Sequence, residues 1–90
     1  MLPVEWSDEA QLDLVEIQGY IEQFDAPAAL ALRETIEAGV VQLPLMPFLH
    51  RHGRVPGTRE YVAHPNYIVV YRVGATIEIL RVLHARQEYP

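Results

Sequence analysis

The stretch Tyr67-Ile68-Val69-Val70-Tyr71-Arg72-Val73-Gly74-Ala75-Thr76-Ile77-Glu78-Ile79-Leu80-Arg81-Val82-Leu83-His84 decides the fold. Two runs rich in Val, Ile and Tyr flank Gly74-Ala75-Thr76, the signature of a β-hairpin. That turn sets Arg72 opposite Glu78, a favourable cross-strand pair. Upstream, residues 58–63 have the same extended character, and the connection His64-Pro65-Asn66 is equally short. Three antiparallel strands joined by two hairpins follow.

Further upstream the period changes. Residues 2–6 form one short strand, and Ser7 is a good N-cap with Asp8 and Glu9 behind it in the first turn. Ala10, Leu14, Ile17, Ile21 and Phe24 then recur at helical spacing. Asp25 caps a second helix with Pro27 in its first turn, and Ala29, Leu32, Ile36, Val40 and Leu43 form its stripe. Pro44 and Pro47 end it, and the short Asp25 connection makes the helices antiparallel neighbours. Residues 44–57, with the basic run His50-Arg51-His52-Gly53-Arg54, read as a loop. The expected fold is therefore α+β in a single domain, residues 1–90. It has an N-terminal strand, an antiparallel helical hairpin and a three-stranded antiparallel meander in one twisted sheet. Alternation assigns Val62, Ile68, Val70, Leu80 and Val82 to the face packed on the helices. It leaves Arg59, Tyr61, Tyr67, Tyr71 and Arg81 on the opposite face, a mixture suited to nucleic acid or an acidic protein.

Ninety residues suffice for one small domain, and 50% hydrophobic with 21% charged residues excludes wholesale disorder. The absence of cysteine excludes a disulfide framework, a thiol nucleophile and Cys-based zinc sites. No apolar run approaches the roughly 20 residues of a membrane span, so no membrane partner is expected. The opening residues lack the pattern of a secretory signal, which makes a cytoplasmic location the expectation. The net charge of −5 hides a reversal: residues 1–47 carry −8, and residues 48–90 carry +3 with six arginines. Those six, Arg51, Arg54, Arg59, Arg72, Arg81 and Arg86, are either phosphate-binding forks or a surface that balances the acidic helices.

His50-x-His52 sits in a loop without a nearby carboxylate, so neither a metal nor another cofactor is expected. His64 precedes Pro65 and suits a turn. His84, in Leu83-His84-Ala85-Arg86, is either a general acid or base beside a phosphate-stabilising Arg86 or a strand-end histidine bonded to backbone. Glu60 is a possible base or the partner of a neighbouring arginine. Nucleophile elbows and phosphate-binding glycine loops are absent.

The strings Gly57-Thr58-Arg59-Glu60-Tyr61, Asn66-Tyr67-Ile68-Val69-Val70-Tyr71-Arg72-Val73 and Ile79-Leu80-Arg81-Val82-Leu83-His84-Ala85-Arg86, in this element order, resemble the RelE/ParE superfamily of type II toxin–antitoxin (plasmid stabilisation) toxins. The resemblance spans essentially the whole chain. It implies a toxin that arrests bacterial growth unless neutralised in a hetero-oligomer by an antitoxin with an acidic, partly helical segment and a DNA-binding domain. RelE-like members cut mRNA on the ribosome, whereas ParE-like members inhibit DNA gyrase. Ile68 stands after Tyr67 where the nucleases tend to carry Arg, and Leu83-His84-Ala85-Arg86 is similar to the ParE-like ending. The resemblance thus points to gyrase inhibition, with mRNA cleavage as the alternative and a degenerate, non-toxic antitoxin-binding module as a third reading. A nuclease would draw on Arg59, His84, Arg86 and Tyr89. Target or antitoxin binding would fall to Arg51, Arg54, Arg59, Arg81 and Arg86, with Leu14, Ile17, Ile21, Leu32 and Ile36 lining an antitoxin groove.

Overall fold

The computed structural model describes residues 1–90. Strand β1 (Val4–Trp6) leads into helix α1 (Asp8–Glu22), and α2 (Ala26–Gln42) runs back against it. A 3-10 turn at Leu43–Leu45 opens the loop that carries the two-residue strand β2 (Arg51–His52). The chain then lays down β3 (Arg59–His64), β4 (Tyr67–Val73) and β5 (Ile77–His84). The sheet order is β1-β5-β4-β3-β2, antiparallel except for β1, which pairs parallel to β5 through Val4↔Ile77 and Trp6↔Ile79. Both helices cover one face. The α+β architecture is the expected one, enlarged by β2 and by the placement of β1 at the far edge.

Both helix starts follow from local chemistry. The Ser7 hydroxyl accepts the Ala10 N–H at 3.0 Å, and the Asp25 carboxylate accepts the Ala28 N–H at 3.0 Å. Ser7 also reaches across to the sheet: its N–H donates to the Ile79 carbonyl and its hydroxyl to the Leu80 carbonyl, both at 2.9 Å. The antitoxin groove expected on the hairpin is not open. Leu14 and Ile36 are buried, and Ile17, Ile21 and Leu32 are half-buried. Ile17 and Leu32 pack against the helix–sheet core, because the stripe that makes a helix amphipathic is the stripe the sheet covers.

Most of the face assignments are reversed. Ile68, Val70 and Leu80 lie on the outer face, and Tyr61 and Tyr71 pack toward the helices. Val82 alone of the core valines of β4 and β5 stays where alternation put it. Val69, Tyr71, Ile77, Ile79 and Val82 join Leu14, Ile36 and Val40 in the main core, with half-buried Tyr61 against them. Ile68, Val70, Leu83 and half-buried Leu80 form a second, smaller core on the outer face, sealed by Tyr89 from the C-terminal segment. Residues 68–71 are all buried, so β4 offers no polar–apolar contrast to read. A bulge adds to this: Val70 pairs with Arg81 but Tyr71 pairs with Ile79, so Leu80 is the extra residue on β5. Leu80 and Val82 consequently belong to opposite faces. Tyr61 lies against α2 where Gly39 stands, and a Cβ there would overlap the tyrosine ring and hydroxyl. Only glycine fits that close approach.

Candidate functional site

Next to the β5 bulge a partly buried polar junction ties α1 to the sheet. The Asp13 carboxylate on α1 accepts Arg81 Nε at 2.7 Å, Arg81 Nη2 at 3.0 Å and the Val82 N–H at 2.9 Å. A bidentate fork plus one backbone donor fills three of the roughly four acceptor sites of that carboxylate. The hydrogen bonds that Arg81 donates to Asp13 push the guanidinium pKa further up, against the opposing effect of burial, so it stays charged. Beyond this junction lies an open groove of about 360 Å³ between α1 and the ends of β4 and β5. Tyr20 and Glu16 line it from the helix, and Tyr67, His84 and Gln87 from the sheet side. His84 Nδ1 accepts the Arg86 N–H at 3.1 Å, and the His84 ring meets Tyr67 edge-on with centroids 5.4 Å apart. His64 is held in the same way by the Asn66 N–H at 3.1 Å.

The arginines do not form a free basic face. Arg51 pairs with the buried Glu60 carboxylate at 2.8 Å, and Arg72 pairs with Glu78 as the hairpin register requires. Arg33 donates to the Gln18 side chain at 2.7 Å and lies 3.4 Å from Glu37. The Arg54 guanidinium sits 4.9 Å from the Tyr89 ring centroid. Arg59 donates to the Phe48 and His50 carbonyls at 3.1 and 2.8 Å and stacks over Phe48, clamping the loop onto β3. Only Arg86 lacks an ion pair, a side-chain hydrogen bond and an aromatic stack. Seven acidic residues, by contrast, make no ion pair: Glu5, Asp8, Glu16, Glu22, Asp25, Glu34 and Glu88, all exposed. The unbalanced surface charge is therefore acidic and concentrated on the hairpin, as the charge reversal along the sequence implies, while the arginines of the sheet are largely engaged.

The residues a nuclease would use are scattered. Arg59 pairs with Tyr71 and His84 with Tyr67, which puts them about 13 Å apart along the sheet. Tyr89 lies on the outer face with its ring buried. Only His84 and Arg86 are neighbours. The structure holds no cluster of three metal-ligating side chains, and no helix is long and apolar enough to cross a membrane.

The comparisons agree with this geometry. The family model described as the ParE toxin of the type II toxin–antitoxin system parDE matches residues 4–89. The chain belongs to the ParE toxin family. It is 40% identical over 88 residues to the protein named "Putative toxin Y4kP" of Sinorhizobium fredii (strain NBRC 101917 / NGR234), covering 97% of this chain and 92% of that one. A solved chain of the chromosomal ParDE TA system from P. aeruginosa superposes with a TM-score of 0.85 at 27% identity, covering 93% of this chain and 96% of that chain. The conserved hypothetical protein HP0894 from Helicobacter pylori shares the fold, with a TM-score of 0.62 at 19% identity over 99% of this chain and all of that one.

Asp13, Glu16 and Tyr20 of this ParE-family chain were not singled out as site residues by sequence reasoning. The one available signal was the Asp13 position on the sheet-facing flank of α1, one residue before Leu14. His50 is a further point of the loop that sequence alone leaves unplaced. Its ring packs 4.8 Å from Tyr61 and 6.2 Å, edge-on, from Tyr71. Desolvation lowers its pKa below the usual 6.5. The unfolded chain therefore binds a proton that the folded toxin resists, and stability is complete above the unfolded value and falls as pH drops through it. Replacing His50 with Phe removes that dependence: thermal unfolding followed from about pH 7 to 5 should show the wild-type Tm falling relative to H50F. Parallel curves would refute this assignment.

Proposed function

We propose that this chain is the growth-arresting toxin of a ParDE-type module, that it acts by inhibiting DNA gyrase, and that a cognate antitoxin neutralises it in a hetero-oligomer. The observation that carries this reading is the dispersal of Arg59, His84 and Tyr89 over two ends and two faces of the sheet. Phosphoryl chemistry on RNA needs its charged groups preorganised around one reacting centre, where each positioned donor contributes about 3–4 kcal/mol. Arg59 is committed to two loop carbonyls, and Ile68 brings no charge to the outer face. Inhibition by binding requires only a surface. Family membership and the likeness to a ParDE chain support the same choice.

The test pairs two assays on the purified chain. Gyrase supercoiling should be lost while ribosome-bound messages stay intact. Arg86→Ala, which removes the one unengaged guanidinium, should keep the wild-type Tm and weaken inhibition about tenfold, the equivalent of one lost charge-assisted contact. Cleaved messages with unaffected supercoiling would replace this reading with mRNA endonuclease activity. Normal growth and neither activity would leave an antitoxin-binding module.

A further inference from the structure

We propose that the groove between α1 and the ends of β4 and β5 is a receptor for an arginine side chain presented by a partner protein. Its volume of about 360 Å³ falls in the range of ligand clefts. Tyr20 forms one wall, and Tyr67 with His84 forms the other. The apolar lining is Ile17 and Val82. Both arms of the Arg81 fork are engaged by Asp13, so that pair presents no net charge. His84 Nδ1 accepts the Arg86 N–H, which places the proton of the neutral ring on Nε2. What remains without an ion pair or hydrogen bond of its own is Glu16, an exposed carboxylate that feels the Arg81 charge only at longer range and shares the groove lining with the two tyrosines.

Each class of occupant can be weighed against that lining. An anion would meet Glu16 and the electron-rich ring faces, and both repel it. An aliphatic side chain would desolvate Glu16 and Gln87 without pairing them. A planar guanidinium can stack on tyrosine and form a two-pronged bond with a carboxylate. Lysine would supply the charge without the plane. The surroundings are complementary to the same partner. Tyr20 continues into exposed Phe24, with centroids 5.4 Å apart, and the exposed acids Glu22 and Asp25 flank this pair. A segment carrying arginine next to an apolar residue would match groove and rim together. The inference rests on the proposed toxin function only in taking the arginine from a protein that binds the toxin.

The experiment uses the full chain, isotopically labelled, titrated with Nα-acetyl-arginine methylamide and with its uncharged citrulline counterpart. Amide signals of residues 13–20, 67 and 82–87 should shift and saturate, with a Kd of about 1–10 mM. The arginine probe should bind roughly threefold or more tightly than citrulline, and Tyr20→Ala or Glu16→Gln should each weaken it about three- to fivefold. Both side chains are exposed, so these variants fold, as an unchanged Tm will verify. Equal shifts with citrulline, or shifts spread along the acidic helices and indifferent to both variants, would overturn the site. In cells, Glu16→Arg should reduce antitoxin co-purification or growth arrest at least about tenfold. Loss of neither would overturn the protein source of the arginine. Arrest of translation by the wild type would refute the gyrase reading and leave the titration standing.

Discussion

Tyr71→Ala will leave little folded protein at growth temperature, whereas Tyr71→Phe will fold. Tyr71 has no exposed surface, stands in the main core between β4 and the helices, and donates its hydroxyl to the Pro47 carbonyl at 2.8 Å. Burial pushes the hydroxyl pKa up, with the Arg59 charge opposing, so the group remains a donor at neutral pH. Truncating a buried aromatic to alanine costs about 3–5 kcal/mol, and the lost hydrogen bond adds about 1. Whole domains are stable by about 5–15 kcal/mol, and a chain this small sits toward the lower end. At roughly 4–8 °C per kcal/mol, Tyr71→Ala should lower Tm by about 16 °C or more. Phenylalanine keeps the ring and loses only the loop clamp, a change of about 1–2 kcal/mol. Thermal unfolding of both variants measures this. A Tyr71→Ala chain within about 1 kcal/mol of wild type would show that the loop, and not the core, had been holding the ring.

The second large effect is at Asp13. Removing it by Asp13→Ala strands the Arg81 guanidinium and the Val82 N–H together. Breaking one side of a buried pair costs about 3–5 kcal/mol; the Arg81 side chain keeps 35% of its surface in water, so about 2–3 is expected. Pairing the change with Arg81→Met, which removes the stranded charge and retains the stem, should recover part of the loss. Urea midpoints of the two single variants and the double variant give the coupling directly. Strict additivity would mean that the junction contributes as two independent side chains.

Much of the fold is legible in the sequence because its signals are local. Ser7, Asp25 and Pro27 mark helix starts through bonds spanning three residues, and the Gly74–Thr76 turn sets Arg72 against Glu78. The sheet faces were not legible. Val69 and Val70 point in opposite directions and are both buried, because the C-terminal segment brings Tyr89 over what would otherwise be an open surface. The candidate site is less legible still. The alternation of arginine and tyrosine suggested a basic face, yet Glu60, Glu78 and Asp13 reach three of the six arginines of the C-terminal half from other strands and from α1, and Arg59 is spent on loop carbonyls. Asp13 and Arg81 are 68 residues apart, a distance at which no spacing rule operates.

The parallel pairing of β1 with β5 has a genetic consequence. Val4 waits for Ile77, and Ser7 and Asp13 wait for Leu80 through Val82, so the first helix has α2 to pack on but no place on the sheet until the last strand has been made. Contacts this distant in sequence close late in folding. A reading frame broken anywhere before codon 77 yields a chain with an unpaired first strand and an unanchored helix. Stop and frameshift alleles over most of the reading frame therefore remove the folded protein, not merely its C-terminal end.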